Sequence, residues 1–141
     1  MSIDVKYRTS ATASGGRDGK ARSEDGRLEV QLTTPKELGR PGGGGTNPEQ
    51  LFAAGYSACF LSALKVAGRE LNVKIPNDTT VTAQIGIGPR SEGGFGITAE
   101  LVIALPGLER DQASKLVETA HQICPYSNAT RNNIHVGLSV A

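Results

Sequence analysis

The chain has 141 residues and a mass of 14.7 kDa, enough for one domain that buries roughly 70% of the surface its unfolded form exposes and needs no disulfide staples. Hydrophobic residues at 38% and charged residues at 21% exclude wholesale disorder and a collagen-like repeat. Fifteen Lys and Arg against fourteen Asp and Glu leave a net charge of +1, and with 4% aromatics and no Trp there is no footprint for nucleic acid or an acidic membrane.

A single domain over residues 1–141 is expected. The opening residues MSIDVKYRTS lack the basic-then-apolar pattern of a secretory signal. No apolar run is expected to reach the ~20 residues that span a bilayer. The chain therefore reads as cytoplasmic, where thiols stay reduced.

In chain order, Val5, Tyr7, Thr9 and Ala11 alternate as a half-buried strand would. A glycine cluster then surrounds Arg17 and Asp18. Asp25-Gly26 predicts a hairpin turn feeding Leu28, Val30 and Leu32 at period two. Residues 35–46 (PKELGRPGGGGT) read as loop, with room for one helical turn at their start. From Asn47 the pattern becomes helical: Asn47 suits the N-cap, Pro48 the first helical position, and Glu49 the positive end of the dipole. Gln50 could complete a capping box. The run Leu51–Leu71 is apolar on nearly every face, which predicts burial on all sides, part of it against a second subunit. Gly55 could bend this helix.

Residues 81–87 and 95–105 alternate as two strands joined through Pro89 to Gly94. A second amphipathic helix is predicted over 109–124, with Leu116, Val117, Ala120, Ile123 and Cys124 on its apolar side. Pro125 ends it, since proline disfavours helical geometry in the residue before it. Ile134, Val136, Leu138 and Val140 make a last strand. The order describes an α+β domain, and the glycines fit neither GxGxxG nor GxxxxGKS.

The two cysteines, Cys59 and Cys124, lie on the apolar sides of the two helices. Alone, each reads as a small core hydrophobe. Both helices must share one core, so the two sulfurs can meet there, and a cytosolic pair that meets is more often catalytic or redox-sensing than structural. Reactivity needs a nearby cation to populate the thiolate, and Cys59 sits too deep in its helix to use the dipole. Arg17, in a glycine loop that permits close approach, is the candidate, with a solvated hairpin-tip arginine as the alternative. Glu49 could hold such an arginine through a bidentate pair. Ten residues of straight helix separate Glu49 from Cys59 by about 15 Å, so one arginine serves both only if the helix bends near Gly55 or a second subunit contributes. His121, one turn before Cys124, could act as a base, but a packed or hydrogen-bonded histidine near the helix end is the simpler reading. With His135 the only other histidine, no closed zinc site is expected and no metal is assigned.

The stretches TNPEQLFAAGYSACFLSALK (46–65) and HQICPYSNATRNNI (121–134), with the loop GGRDG (15–19), resemble the signature segments of the organic hydroperoxide resistance proteins in the osmotically inducible protein C (OsmC) superfamily. The resemblance spans essentially the whole chain, apart from His135, which stands where an acidic residue is common. It implies an OsmC-like α+β fold, with antiparallel sheets packed on a long buried helix and a second helix in an intertwined homodimer. It also implies a thiol-dependent peroxidase that reduces organic hydroperoxides, fatty-acid ones included, to alcohols. Cys59 matches the peroxidatic cysteine, Cys124 the resolving one, and Arg17 and Glu49 the pair that activates the thiolate. No bound cofactor is implied; dihydrolipoamide or a lipoylated protein is the external reductant. Leu51, Phe52, Tyr56 and Phe60 would supply an apolar wall that favours an organic tail over hydrogen peroxide. The rival reading is a non-catalytic cysteine-based redox sensor or dimeric binding module.

Overall fold

A computed structural model describes all 141 residues, Met1–Ala141. They divide into two compact units, Met1–Pro48 and Glu49–Ala141. The first unit is a three-stranded antiparallel meander of β1 (Ala11–Ser14), β2 (Lys20–Ser23) and β3 (Glu29–Gln31). The alternation at Val5, Tyr7 and Thr9 forms no strand: residues 1–10 carry no regular structure, and Tyr7 is 78% exposed. Alternation alone does not make a strand without a neighbour to hydrogen-bond, and β1 begins where Ala11 finds Ser23.

The turn at Asp25-Gly26 forms as expected. Gly26 takes a positive φ of 74°, and the Asp25 carboxylate accepts from the Ser23 hydroxyl at 2.7 Å and from the Arg27 N–H at 3.0 Å. Beyond β3, one 3-10 turn at Lys36–Leu38 opens the glycine-rich loop, which returns to pair Thr46 with Leu32.

The second unit packs helices on a three-stranded sheet. Helix α1 (Pro48–Leu71) begins directly after Asn47 and runs unbroken through Gly55. Strands β4 (Thr80–Pro89) and β5 (Phe95–Ala104) form the expected hairpin, closed by the Arg90 N–H on the Gly94 carbonyl at 2.8 Å. Helix α2 spans Arg110–Ile123, and β6 (Val136–Val140) completes the order β4-β5-β6. β6 lies parallel to β5, so the sheet is mixed, whereas the other paired strands run antiparallel. The parallel addition follows from connectivity: residues 105–135 cross back over the sheet, and a crossover of that length delivers a parallel neighbour. Ala99, Leu101 and Ile103 of β5 point at period two into the core, against Tyr56, Phe60, Ala63, Leu64 and Ala67 of α1 and Ala113, Leu116, Val117 and Ala120 of α2.

Within this chain α1 buries one face, while Ala54, Ala58, Ser62, Lys65 and Arg69 form an exposed stripe, the part of its surface that the expectation left to a second subunit. One expectation for α1 is corrected. Its most apolar 18-residue window reaches a mean hydropathy of 1.4, so by length and composition one segment is long and apolar enough to cross a membrane. Small residues raise that average without marking a lipid-facing surface, and the large side chains Tyr56, Phe60 and Leu64 are fully buried in a protein core.

Candidate active site at the two cysteines

The corner between α2 and the next helix sets the position of Cys124. Proline leaves its predecessor out of helical geometry, and Cys124 takes φ −61° and ψ 122°. Pro125 does end α2, but it also begins a further helix that the sequence did not announce, α3 (Pro125–Thr130), with the proline at its first turn where a missing N–H costs nothing. Cys124 is therefore a hinge residue pinned on both sides: its N–H donates to the Ala120 carbonyl at 2.8 Å, and its carbonyl accepts from the Asn128 N–H at 2.9 Å.

Both cysteines are free thiols, and they face one another within hydrogen-bonding reach. Cys124 is fully buried, while Cys59 is half-exposed. Burial pushes the Cys59 thiol above its ordinary range, and the adjacent Cys124 sulfur pushes it the same way because two thiolates repel. The backbone N–H of Tyr126 acts in the opposite direction, donating to the Cys59 sulfur and favouring its charged form.

Around this pair lies an aromatic cluster. Phe52 meets Tyr56 edge to face at 5.7 Å between ring centroids, and Tyr126 sits 5.9 Å from Phe52 and 5.6 Å from Tyr56. Of the four expected wall residues, Leu51 and Phe52 are half-buried, whereas Tyr56 and Phe60 are fully buried and stand behind the surface. Tyr126, 37% exposed, joins the cluster and was missed by the sequence reading. Its position two residues after Cys124 was the available signal.

A chain of polar groups runs beneath the aromatics. The Tyr56 hydroxyl hydrogen-bonds with Ser127 Oγ at 2.9 Å and Thr130 Oγ1 at 3.2 Å, and Ser127 Oγ hydrogen-bonds with His121 Nδ1 at 2.8 Å. Thr130 donates its own proton to the carbonyls of Tyr126 and Ser127. With a neutral imidazole accepting at Nδ1, Ser127 donates to His121, and the Tyr56 proton is shared between Ser127 Oγ and Thr130 Oγ1. Burial, then the neighbouring Arg131 guanidinium, holds His121 below the usual imidazole range, in keeping with that neutral form. His121 is thus the hydrogen-bonded histidine expected near the helix end.

Arg17 and Glu49 fall in different units. Arg17 occupies a single 3-10 turn, Gly16–Asp18, between β1 and β2, entered through left-handed Gly15 and Gly16 with φ of 75° and 60°. The next residue, Asp18, fixes this turn: its carboxylate accepts from the Thr34 N–H at 3.0 Å, which lowers its pKa, and Arg40 stands 3.8 Å away. Asp18 was not singled out from sequence, although it adjoins Arg17. Glu49 stands in the first turn of α1.

The profile of the OsmC-like protein family matches residues 41–139. The chain is 53% identical over 137 residues to an organic hydroperoxide resistance protein of Xanthomonas axonopodis pv. citri, covering 97% of this chain and 96% of that one. Among solved structures, an organic hydroperoxide resistance protein from Elizabethkingia anophelis superposes with a TM-score of 0.90 at 49% identity, covering 99% of each chain. OhrB of Bacillus subtilis superposes with a TM-score of 0.86 at 42% identity, covering 96% of this chain and 98% of its own. A free thiol on α1 facing a second at the corner between α2 and α3, set in an α+β frame that matches these structures along nearly its whole length, identifies the chain as a member of the OsmC-like family, grouped within it among the organic hydroperoxide resistance proteins.

Proposed function

We propose that this protein takes part in organic hydroperoxide resistance as a two-cysteine peroxidase, and that Cys59 is the residue that meets the peroxide. The observation that carries this reading is the unequal exposure of two facing thiols: Cys59 is half-exposed and open to a substrate from outside, and Cys124 is fully buried beside it. The Cys59 thiolate attacks the distal peroxide oxygen, the O–O bond breaks, and the alkoxide leaves and is protonated to the alcohol. Cys59 is then a sulfenic acid. Cys124 attacks the sulfenic sulfur; the S–S bond forms, the S–O bond breaks, and the departing hydroxide takes up a proton as water. An external dithiol of the dihydrolipoyl class reopens the disulfide by exchange and becomes the cyclic disulfide itself.

Burial and Cys124 both work against the Cys59 thiolate, so activation needs a cation. Arg17, oriented by Glu49, is proposed to supply it, on the strength of the family pattern at GGRDG and TNPEQ. A homodimer is also proposed. The exposed stripe on α1 supports it, since a second copy would cover a face that this chain leaves open. A reducing cytoplasm, which keeps both thiols free between turnovers, is the proposed compartment.

The deciding measurement follows consumption of an organic hydroperoxide with dihydrolipoamide, with reduced glutathione and with no reductant, using hydrogen peroxide as a parallel substrate. Sustained turnover with dihydrolipoamide, faster on the organic peroxide, supports the reading. Consumption of one equivalent under every condition would replace it with a redox sensor.

A further inference from the structure

One member of the polar chain lies one helical turn before each cysteine. Tyr56 precedes Cys59 by three residues on α1, and His121 precedes Cys124 by three on α2. Ser127 follows Cys124 by three on α3 and bonds to both, at 2.9 Å to Tyr56 and 2.8 Å to His121. The hydroxyl of one fully buried serine thus joins the three helical segments that carry the thiols and the Tyr126 N–H. Arg131 adds a tie across the same corner, donating to the His121 carbonyl and the Asn128 side chain.

We infer that the Tyr56–Ser127–His121 chain is a clamp that sets the approach of Cys124 to Cys59, making these three positioning residues for the disulfide-forming step. This rests on the peroxidase reading above. A disulfide forms only when the two Cα atoms come within about 4.4–6.8 Å with converging Cβ directions, and Cys124 sits at a non-helical corner whose direction depends on how α3 is held. Apolar packing can bury α3 at many rotations, whereas a hydroxyl that must satisfy two partners on two other helices fixes one. The first chemical step needs only Cys59 and the peroxide, so it does not depend on the clamp. Closure, in which Cys124 Sγ displaces hydroxide from the sulfenic sulfur, does.

The test separates the two steps in Ser127→Ala and in Tyr56→Phe. Tyr56→Phe leaves Ser127 its bond to His121 and Thr130 its bonds to the Tyr126 and Ser127 carbonyls, so it strands no buried polar group; Ser127→Ala leaves Tyr56 its bond to Thr130 but removes the partner of His121 Nδ1, which makes Tyr56→Phe the cleaner of the two. Stopped-flow with one equivalent of organic hydroperoxide reads sulfenate formation, and mass spectrometry reads disulfide against sulfinic acid. In Ser127→Ala sulfenate formation should stay within about twofold, while closure slows about tenfold and sulfinic acid accumulates. Ser127→Ala and Tyr56→Phe combined should slow closure no more than either alone, because the chain acts as a unit. Closure at the parental rate in both variants, or equal slowing of both steps, would overturn the clamp.

A second readout needs no peroxide. Equilibration against dithiothreitol should show the disulfide about tenfold less stable in each variant, a potential raised by about 30 mV. If the parent protein is not oxidised by any hydroperoxide yet this shift is seen, the peroxidase reading fails and the clamp stands. If the parent turns over and the equilibrium does not move, the clamp fails alone.

Discussion

The Tyr126 ring rests on Gly55: a Cβ at position 55 would lie 2.9 Å from the phenolic oxygen and 3.3 Å from Cζ. Gly55 is therefore required for close approach, and the ring it seats belongs to the residue whose N–H faces the Cys59 sulfur. In Gly55→Ala two effects oppose. Alanine gains up to about 1 kcal/mol of helix propensity, and overpacking costs about 1–3 kcal/mol where neighbours cannot yield. The nearest atom is the far end of a side chain 37% exposed, which can swing outward. The urea midpoint should therefore correspond to less than about 1 kcal/mol of change, while the KM for organic hydroperoxide rises several-fold. Tyr126→Phe in the same background, which removes the closest atom, should recover part of that loss; an unchanged KM in Gly55→Ala would detach Tyr126 from the site.

The proposed division of labour between the cysteines rests on their unequal exposure. Cys59→Ser should abolish turnover. Cys124→Ser should react once and then proceed to sulfinic acid under excess peroxide, because nothing else is placed to capture the sulfenate. Intact mass after stepwise peroxide addition gives the answer, and stable multiple turnover in Cys124→Ser would remove its resolving role.

Much of this arrangement was legible in the sequence, for reasons particular residues explain. The β4–β5 hairpin follows from alternation at Val81–Ile87 and Ile97–Leu105, and the meeting of Cys59 with Cys124 from two apolar helix faces sharing one core. What escaped depends on partners that lie far away in sequence. The alternation at Val5 and Tyr7 imitates a strand but has no neighbour to pair with. Pro125 carries two meanings, a stop for one helix and a start for the next, and only the stop was read. Ser57 looks like an ordinary helix-surface serine, yet its hydroxyl accepts the Ala83 N–H at 3.0 Å and satisfies β4, an edge strand. The Tyr56–Ser127 bond spans 71 positions, and no local pattern encodes it.

Arg17→Ala tests the activating cation. Removing a guanidinium that favours the thiolate should move the midpoint of Cys59 alkylation upward by about one pH unit or more, with the Cys124→Ser background isolating the signal. Asp18→Asn, which keeps the charge on Arg17 but weakens the tie to Thr34 and removes the ion pair with Arg40, should shift it less. Identical profiles for Arg17→Ala and the parent would exclude Arg17 from the site.

His121 gives stability a pH dependence whose sign can be worked out. Its folded-state pKa lies below the usual imidazole value, first through burial and then through Arg131, so the unfolded chain binds the proton more readily. The contribution is fully present above about pH 6.5 and is lost as pH falls toward the folded-state value. Protonation also converts Nδ1 from acceptor to donor, which reverses the bond to Ser127. The urea midpoint should fall between pH 7.5 and pH 5.5, and His121→Gln should flatten that fall. Asp18, Asp25 and Glu92, all lowered, act below this window. A parental midpoint independent of pH in that range would contradict the half-buried neutral imidazole.

Preference for an organic tail should reside in Phe52. It is half-buried, carries ring contacts to both Tyr56 and Tyr126, and sits seven residues before Cys59, two turns along the same helix face. Tyr56 and Phe60, though nearer in sequence, are fully buried, so their replacement by smaller residues would open a cavity and cost stability first. Phe52→Ala removes apolar surface that a hydrocarbon tail can bury and that hydrogen peroxide cannot use. Its kcat/KM should drop about tenfold for a bulky organic hydroperoxide, equivalent to about 1.4 kcal/mol, and change less than twofold for hydrogen peroxide. Phe52→Leu should retain most of the preference, because leucine restores burial without the ring. An equal loss on both peroxides would mean that Phe52 supports the thiols and does not touch the tail, and the specificity surface would then be sought at Leu51 and Tyr126.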